Sequence, residues 1–211
     1  HLVHLALYKF YIDENSTEKA IASMKIVLKS NIIKPEAKLL VLSDFVNFVK
    51  QNPQFESDLI EITTLVGNDN NGKSYVELAQ YYIAKGNKEK ALEYYQKALN
   101  ANGDDYGIIR NILLLQIDLK QYNLAQEMSV NALENYPSQP LLYLINGVAL
   151  NNLKKGNEAI EVLEMGLDYI IEDSKMESDF YKQLSIAHNL LNNTGSAKTF
   201  SDKAKQLEIH N

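Results

Sequence analysis

The chain contains no cysteine, which excludes disulfide staples and thiolate metal sites and leaves no residue that reports a redox compartment. Proline (4) and glycine (9) are scarce among 211 residues, which argues against a turn-rich β architecture and for helices. Arginine is almost missing: lysine and arginine together number 21, and Arg110 is the one arginine. With a formal net charge of −6 and no basic stripe, a nucleic-acid-binding surface is not expected. No apolar run reaches the length of a membrane span, so no insertion within this chain is expected either. What is present is ordinary for a globular protein: 45% apolar and 23% charged residues, in a chain long enough to bury a core. The opening HLVHLALYKF has neither an initiator methionine nor a basic-then-apolar leader. It reads as a portion of a longer protein, and localisation stays open between cytoplasm and periplasm.

The most informative stretch is KSYVELAQYYIAKGNKEKALEYYQKALNANGDD. Its apolar positions recur every three to four residues in two blocks, Tyr75 to Ile83 and Ala91 to Leu99, as two amphipathic helices would require. Gly86 and Asn87 separate the blocks, where a helix must end and the chain must turn. The unit returns. Ala91, Ala125 and Ala159 are 34 residues apart, and seven residues beyond each stand Ala98, Ala132 and Gly166. Ala197 and Ala204 repeat the pair near the C-terminus. Small side chains at fixed places allow two helix backbones to approach closely, and a larger group would hold them apart.

A two-helix unit of 34 residues with these small positions resembles the tetratricopeptide repeat (TPR) family. Counted from Gly72, Tyr75 stands at the family's large aromatic position, Leu78 and Ala79 at its Leu-Gly pair, and Tyr82 at its tyrosine. Ala91, Tyr95 and Ala98 fill the second-helix positions; Gly103 replaces the usual proline, which returns in the next copy as Pro137. Tyr143, Gly147 and Ala159 mark the copy from 140, and Tyr181, Leu184, Ala197 and Ala204 the copy from 178. Leu7, Tyr11 and Ala20 match a copy from residue 1, with Met24 and Val27 in place of the second aromatic and alanine. From 35 to 71 the pattern is degenerate. The units are then 1–34, 35–71, 72–105, 106–139, 140–177 and 178–211. The resemblance implies an all-α, right-handed α-solenoid of about six antiparallel helix pairs, twelve helices in one superhelical domain with a concave face.

One motif competes with this reading. Residues 67–74, GNDNNGKS, spell G-x-x-x-x-G-K-S, the phosphate-binding P-loop pattern. A working P-loop needs a parallel sheet and a second acidic residue for Mg²⁺, and everything downstream is committed to helix pairs. The preceding IEITTLV fits a helix as well, since Leu59, Ile62 and Val66 share one face. The match is read as a decoy, and no cofactor is expected. His1, His4, His188 and His210 form no zinc-type spacing, no nucleophile motif is present, and catalysis has no visible support. His188 takes the family's tyrosine slot and is expected to pack against a neighbouring helix. The pairs Asp104-Asp105 and Glu172-Asp173 are expected to cap helices, the tyrosines to be core, and the lysines of KGNKEKALEYYQK to be a solvated face.

In the family, the first helix of each pair lines the concave surface. Carried over by motif position, that places Lys73 and Gln80 in the groove, then Arg110 and Asn111, then Leu144, Val148 and Asn151, and last Lys182 and Asn189. This mixed surface of amides, cations and an apolar middle suits an extended peptide or a partner helix. Arg110 stands out as a possible two-pronged grip on a carboxylate. The function implied is a non-enzymatic protein-interaction scaffold of a bacterial multi-repeat protein, with end-to-end self-association possible where no polar capping helix is evident. The alternative is a regulatory or sensory domain whose effector lies outside this chain.

Overall fold

The computed structural model describes residues 1–66 and 72–209. Among these residues the secondary structure is helical throughout: twelve α-helices and a 3₁₀ turn, with no strand. The all-α helical-repeat class implied by the sequence is the observed one. Two compact units are formed, residues 1–108 and 109–211, with the division inside the seventh helix.

The first unit contains α1 (His4–Asp13), α2 (Thr17–Leu28), α3 (Pro35–Gln51), the 3₁₀ turn Pro53–Phe55, α4 (Glu56–Val66), α5 (Lys73–Ala84) and α6 (Lys88–Asn102). Here α1 packs on α2 and α5 on α6, while α3 lies against α2, α4 and α5. After α7 (Tyr106–Asp118), the second unit continues with α8 (Tyr122–Asn135), α9 (Pro140–Asn152), α10 (Gly156–Leu167), α11 (Ser174–Leu190) and α12 (Thr194–Ile209). In it α9 packs on α8 and α10, and α11 on α9, α10 and α12.

The small residues sit where the helices meet. Ala91, Ala98, Ala125 and Ala159 have no exposed surface at all, and Ala132, Ala197 and Ala204 are buried. Gly166 shows why nothing larger is used: a Cβ there would stand 2.5 Å from Tyr143 Cβ and 2.6 Å from Phe180 Cε1. At Gly147 the same atom would meet Leu163 at 2.4 Å. Tyr143, Leu150, Leu163, Phe180 and Leu184 fill the core of this region around those contacts. In the first unit, the places without small residues are filled by bulk: Met24, Val27, Phe45, Val49, Leu59 and Ile62 are all completely buried.

Five of the helix-to-helix turns share one backbone device. Asn15, Gly86, Lys120, Lys154 and Asn192 each adopt positive φ, between 56° and 73°. One residue later, an N–H donates back to the carbonyl five residues earlier: Ser16 to Tyr11, Asn87 to Tyr82, Gln121 to Gln116, Lys155 to Leu150 and Asn193 to His188, at 2.7–2.9 Å. This is the Schellman closure, which satisfies carbonyls that a helix end leaves open. The α3–α4 junction does without it and uses Asn52 and the 3₁₀ turn at Pro53 instead. The next helices start on side-chain caps. Asn87 accepts from Lys90 N, Asp105 from Ile108 N and Asp173 from Met176 N, at 2.9–3.1 Å, so Asp105 and Asp173 are the caps the sequence suggested.

The P-loop-like stretch resolves into helix packing as far as it is described; Gly67 to Asn71 lie outside the described residues. IEITTLV belongs to α4, with Leu59, Ile62 and Val66 buried on one face. Gly72 begins α5 with φ 75°, and a Cβ on it would come within 2.5 Å of the Ala98 carbonyl oxygen. Its glycine is therefore required by the approach of α6 and by the left-handed backbone. Ser74 is buried and Lys73 exposed.

Candidate partner-binding surface

In the first unit, Lys73 and Gln80 are both exposed on α5. Between them on the same helix lies Glu77, which the sequence reading missed. It is half-buried, and desolvation raises its carboxyl above the usual range, partly offset by Lys50 on α3. Beside α1 and α3 a cavity of 340 Å³ opens. Ile12 and Phe48 give it an apolar lining, with Lys9, Asp44, Asn47 and Gln51 around them. Asp44 is held in place by the Tyr8 hydroxyl, which donates to it at 2.7 Å, and by Lys9 at 3.7 Å. None of these residues was a sequence candidate, because the repeat signature fades in this region and α3 runs to 17 residues against 12 for α5.

The second unit holds the remaining candidates. Arg110 is exposed on α7 and forms no ion pair among the described residues; Asn111 beside it is half-buried. Leu144 and Val148 are half-buried on α9, and Lys182 and Asn189 are exposed on α11, the helix that packs beside it. Asn151 is different. It is 3% exposed, and its amide nitrogen donates to both the backbone carbonyl and the side-chain oxygen of Gln183 at 3.0 Å. It clamps α9 to α11, so its contribution to any surface is to set the distance between the helices that carry Leu144, Val148 and Lys182. Lys182 is neutralised by Asp179 at 3.0 Å and Glu208 at 2.7 Å, and these three side chains line a cavity of 510 Å³.

The other polar candidates are structural. His188 stacks on Phe200, with ring centres 5.3 Å apart and planes 7° from parallel, as expected of a packing residue. His4 shares a hydrogen bond with Ser23 at 3.1 Å, and His210 lies outside the described residues. Tyr75, Tyr82, Tyr95 and Tyr143 are buried, and Tyr181 is half-buried. The lysines around α5 and α6 are not simply a solvated face: Lys85 lies over the Tyr81 ring, Lys90 over Tyr82 and Lys97 over Tyr94, at 4.6–5.2 Å. Glu56 organises this cluster from the start of α4. Tyr82 donates to one of its oxygens at 2.7 Å, while Tyr81 at 3.1 Å and Lys85 donate to the other. Burial alone would raise its pKa, but the donors from Lys85, Tyr82 and Tyr81 outweigh it and hold the carboxyl at about 2.

Helix crossings closed by small residues or by bulk, recurrent Schellman turns and outward-facing side chains on the first helix of successive pairs define, over the described residues, a helical-repeat protein of the interaction-module class. The chain belongs to the tetratricopeptide repeat family, whose sequence model matches residues 39–193. No curated protein matches it. Among solved structures it is similar to MamA of AMB-1, with TM-score 0.62 and 18% identity over 81% of this chain and 99% of that one. MamA from Desulfovibrio magneticus RS-1 gives 0.64 and 14% over 82% and 96%. YrrB, described as a TPR protein with an unusual peptide-binding site, gives 0.62 and 17% over 81% and 87%. At these identities the likeness is one of fold. No described helix is long and apolar enough to cross a membrane.

Proposed function

We propose that the chain is a non-enzymatic interaction module that holds a partner protein or extended peptide on the exposed faces of its first helices. The observation that carries this reading is the division of labour along those helices. Their small and aromatic residues are consumed by the core, whereas Lys73, Gln80, Arg110, Lys182 and Asn189 are exposed, with Leu144 and Val148 half-buried between helices. Amides, cations and scattered apolar groups at helical spacing suit a ligand whose own backbone needs donors and acceptors. The peptide-binding site named for YrrB lends the same fold a precedent. Arg110 is the cation best placed to grip a carboxylate, because Lys182 already spends its charge on Asp179 and Glu208.

The test is selection of ligands from a displayed random-peptide library, followed by fluorescence anisotropy on the selected sequences. Gln80→Ala is expected to weaken a peptide held by the first unit, and Arg110→Ala one held by the second, each by about fivefold or more, the effect of losing about 1 kcal/mol. Peptides that bind every first-helix variant as tightly as the wild type would place recognition elsewhere and sink the reading.

A further inference from the structure

The cleft between α1 and α3 is lined by two carboxylates, Asp13 and Asp44, and one ammonium, Lys9. Lys9 stands 3.7 Å from Asp44 Oδ2, the same oxygen that accepts from the Tyr8 hydroxyl. Asp44 Oδ1 accepts no hydrogen bond among the described residues, and Asp13 forms no ion pair among them. Asp13 also ends α1, where the helix dipole is already negative and the last turn holds no basic residue, so its charge is opposed by its own helix. The rest of the lining is Ile12 and Phe48, both half-buried, and the exposed amides of Asn47 and Gln51. On α5, which packs on α3, Glu77 is another carboxylate with no ion pair among the described residues, and Lys50 beside it donates to Asn47 at 3.2 Å.

We propose that this cleft receives the side chain of an arginine or lysine from a partner segment, its hydrocarbon stem on Ile12 and Phe48 and its charge at Asp13 and Asp44. The inference rests on the reading above in taking a peptide as the ligand, and it adds a site on α1 and α3 and the class of residue read there. The chemistry of the lining selects the occupant. An anionic side chain would face both carboxylates, while the one ammonium is already engaged by Asp44. An aliphatic side chain would cover Ile12 and Phe48 but strip water from Asp13 and return no partner for it. A long cationic side chain meets both needs, because its stem is apolar and its charge sits at the tip. Arginine gains further by laying its guanidinium plane on the Phe48 ring. At 340 Å³ the cleft is at the small end of ligand sites, which suits one long side chain and not a folded partner. Both walls, and the bond from Tyr8 to Asp44 that joins them, belong to the first compact unit.

A short alanine–serine peptide with one central arginine probes the cleft directly, beside matched peptides carrying lysine, norleucine or glutamate at the centre. Amide chemical shifts of the isotope-labelled 211-residue chain report where each peptide binds and how tightly. The arginine and lysine peptides should move the amides of residues 9–13 and 44–51 to saturation. The norleucine peptide should bind there about fivefold more weakly or worse, and the glutamate peptide should leave those amides unmoved. Asp13→Asn alters an exposed side chain and so leaves the fold intact; it should weaken the arginine peptide about threefold, the scale of one exposed ion pair. Norleucine binding as tightly as arginine overturns the proposal, as does an affinity that Asp13→Asn leaves unchanged. Shifts confined to other helices overturn it too. If the arginine and lysine peptides move nothing while library-selected peptides bind the first helices, the cleft assignment fails and the peptide reading stands. If the selected peptides fail as well, both fall.

Discussion

The α3–α4 pair and the α9–α10 pair do the same architectural work by opposite means. Around α9 and α10, Gly147 and Gly166 are so closely approached that a single Cβ would collide with a neighbouring side chain, and Ala159 is completely buried. Around α3 and α4 the crossings are filled by Phe45, Val49, Leu59 and Ile62, all completely buried. The turns differ likewise: a Schellman closure at Lys154, a 3₁₀ turn after Asn52. The polar fastenings differ too. Asn151 bonds across to Gln183 in the second unit, whereas Glu56 collects two tyrosines and a lysine in the first. A repeat fold therefore tolerates loss of its signature wherever bulk and a charge-assisted cluster replace close approach, since interiors need filled volume rather than a particular residue.

Substitutions can break that comparison in order of expected size. Phe45→Ala should cost about 4 kcal/mol, because a bulk-filled crossing cannot collapse around the lost ring. A thermal melt that shifts by no more than a surface variant would show that the first unit does not rely on bulk. Gly166→Leu should cost about 3 kcal/mol by forcing apart Tyr143 and Phe180, and Ala125→Leu somewhat less, about 1–3 kcal/mol. Urea titrations would expose a wrong assignment of close approach if either variant proved neutral.

Glu56→Gln should cost about 2 kcal/mol, since it removes the charge that three donors serve. This loss carries a pH signature. The Glu56 pKa is depressed in the fold from 4.5 to about 2, so its contribution is complete above pH 4.5 and disappears as pH falls from 4.5 towards 2. Wild type and variant should thus converge in stability across that window; a gap that stays constant would mean the cluster is not held by charge.

The smallest effects concern the turns. Gly86→Ala should cost about 1 kcal/mol, from backbone strain alone, as no atom lies near the new Cβ. Lys154→Gly should gain about 0.5 kcal/mol by relieving the same strain at the equivalent turn. Equal melting temperatures for the wild type and these two variants would deny that the left-handed turns carry that strain.

Much of this was legible beforehand, and the residues say why. Ala91, Ala125 and Ala159 announced the period because close approach admits only small groups, so chemistry at those sites is nearly invariant. The tyrosines announced core by their spacing, and the P-loop match dissolved once IEITTLV was read as a helix face. The turn device was mostly hidden. Gly86 betrays it, but Asn15, Lys120, Lys154 and Asn192 take the same left-handed backbone without glycine, held there by the helices on either side.

The sequence by itself determined the helical class, the repeat period and which faces enter the core, since those follow from the spacing of apolar and small residues along one chain. Only the tertiary structure decided what the polar side chains do. It sent Asn151 inward to Gln183, tied Lys182 to Glu208, gathered Tyr81 and Tyr82 on Glu56 and placed Lys9 and Phe48 beside one cavity. Those outcomes depend on distances between residues far apart in the chain, and a periodic pattern carries no record of such distances.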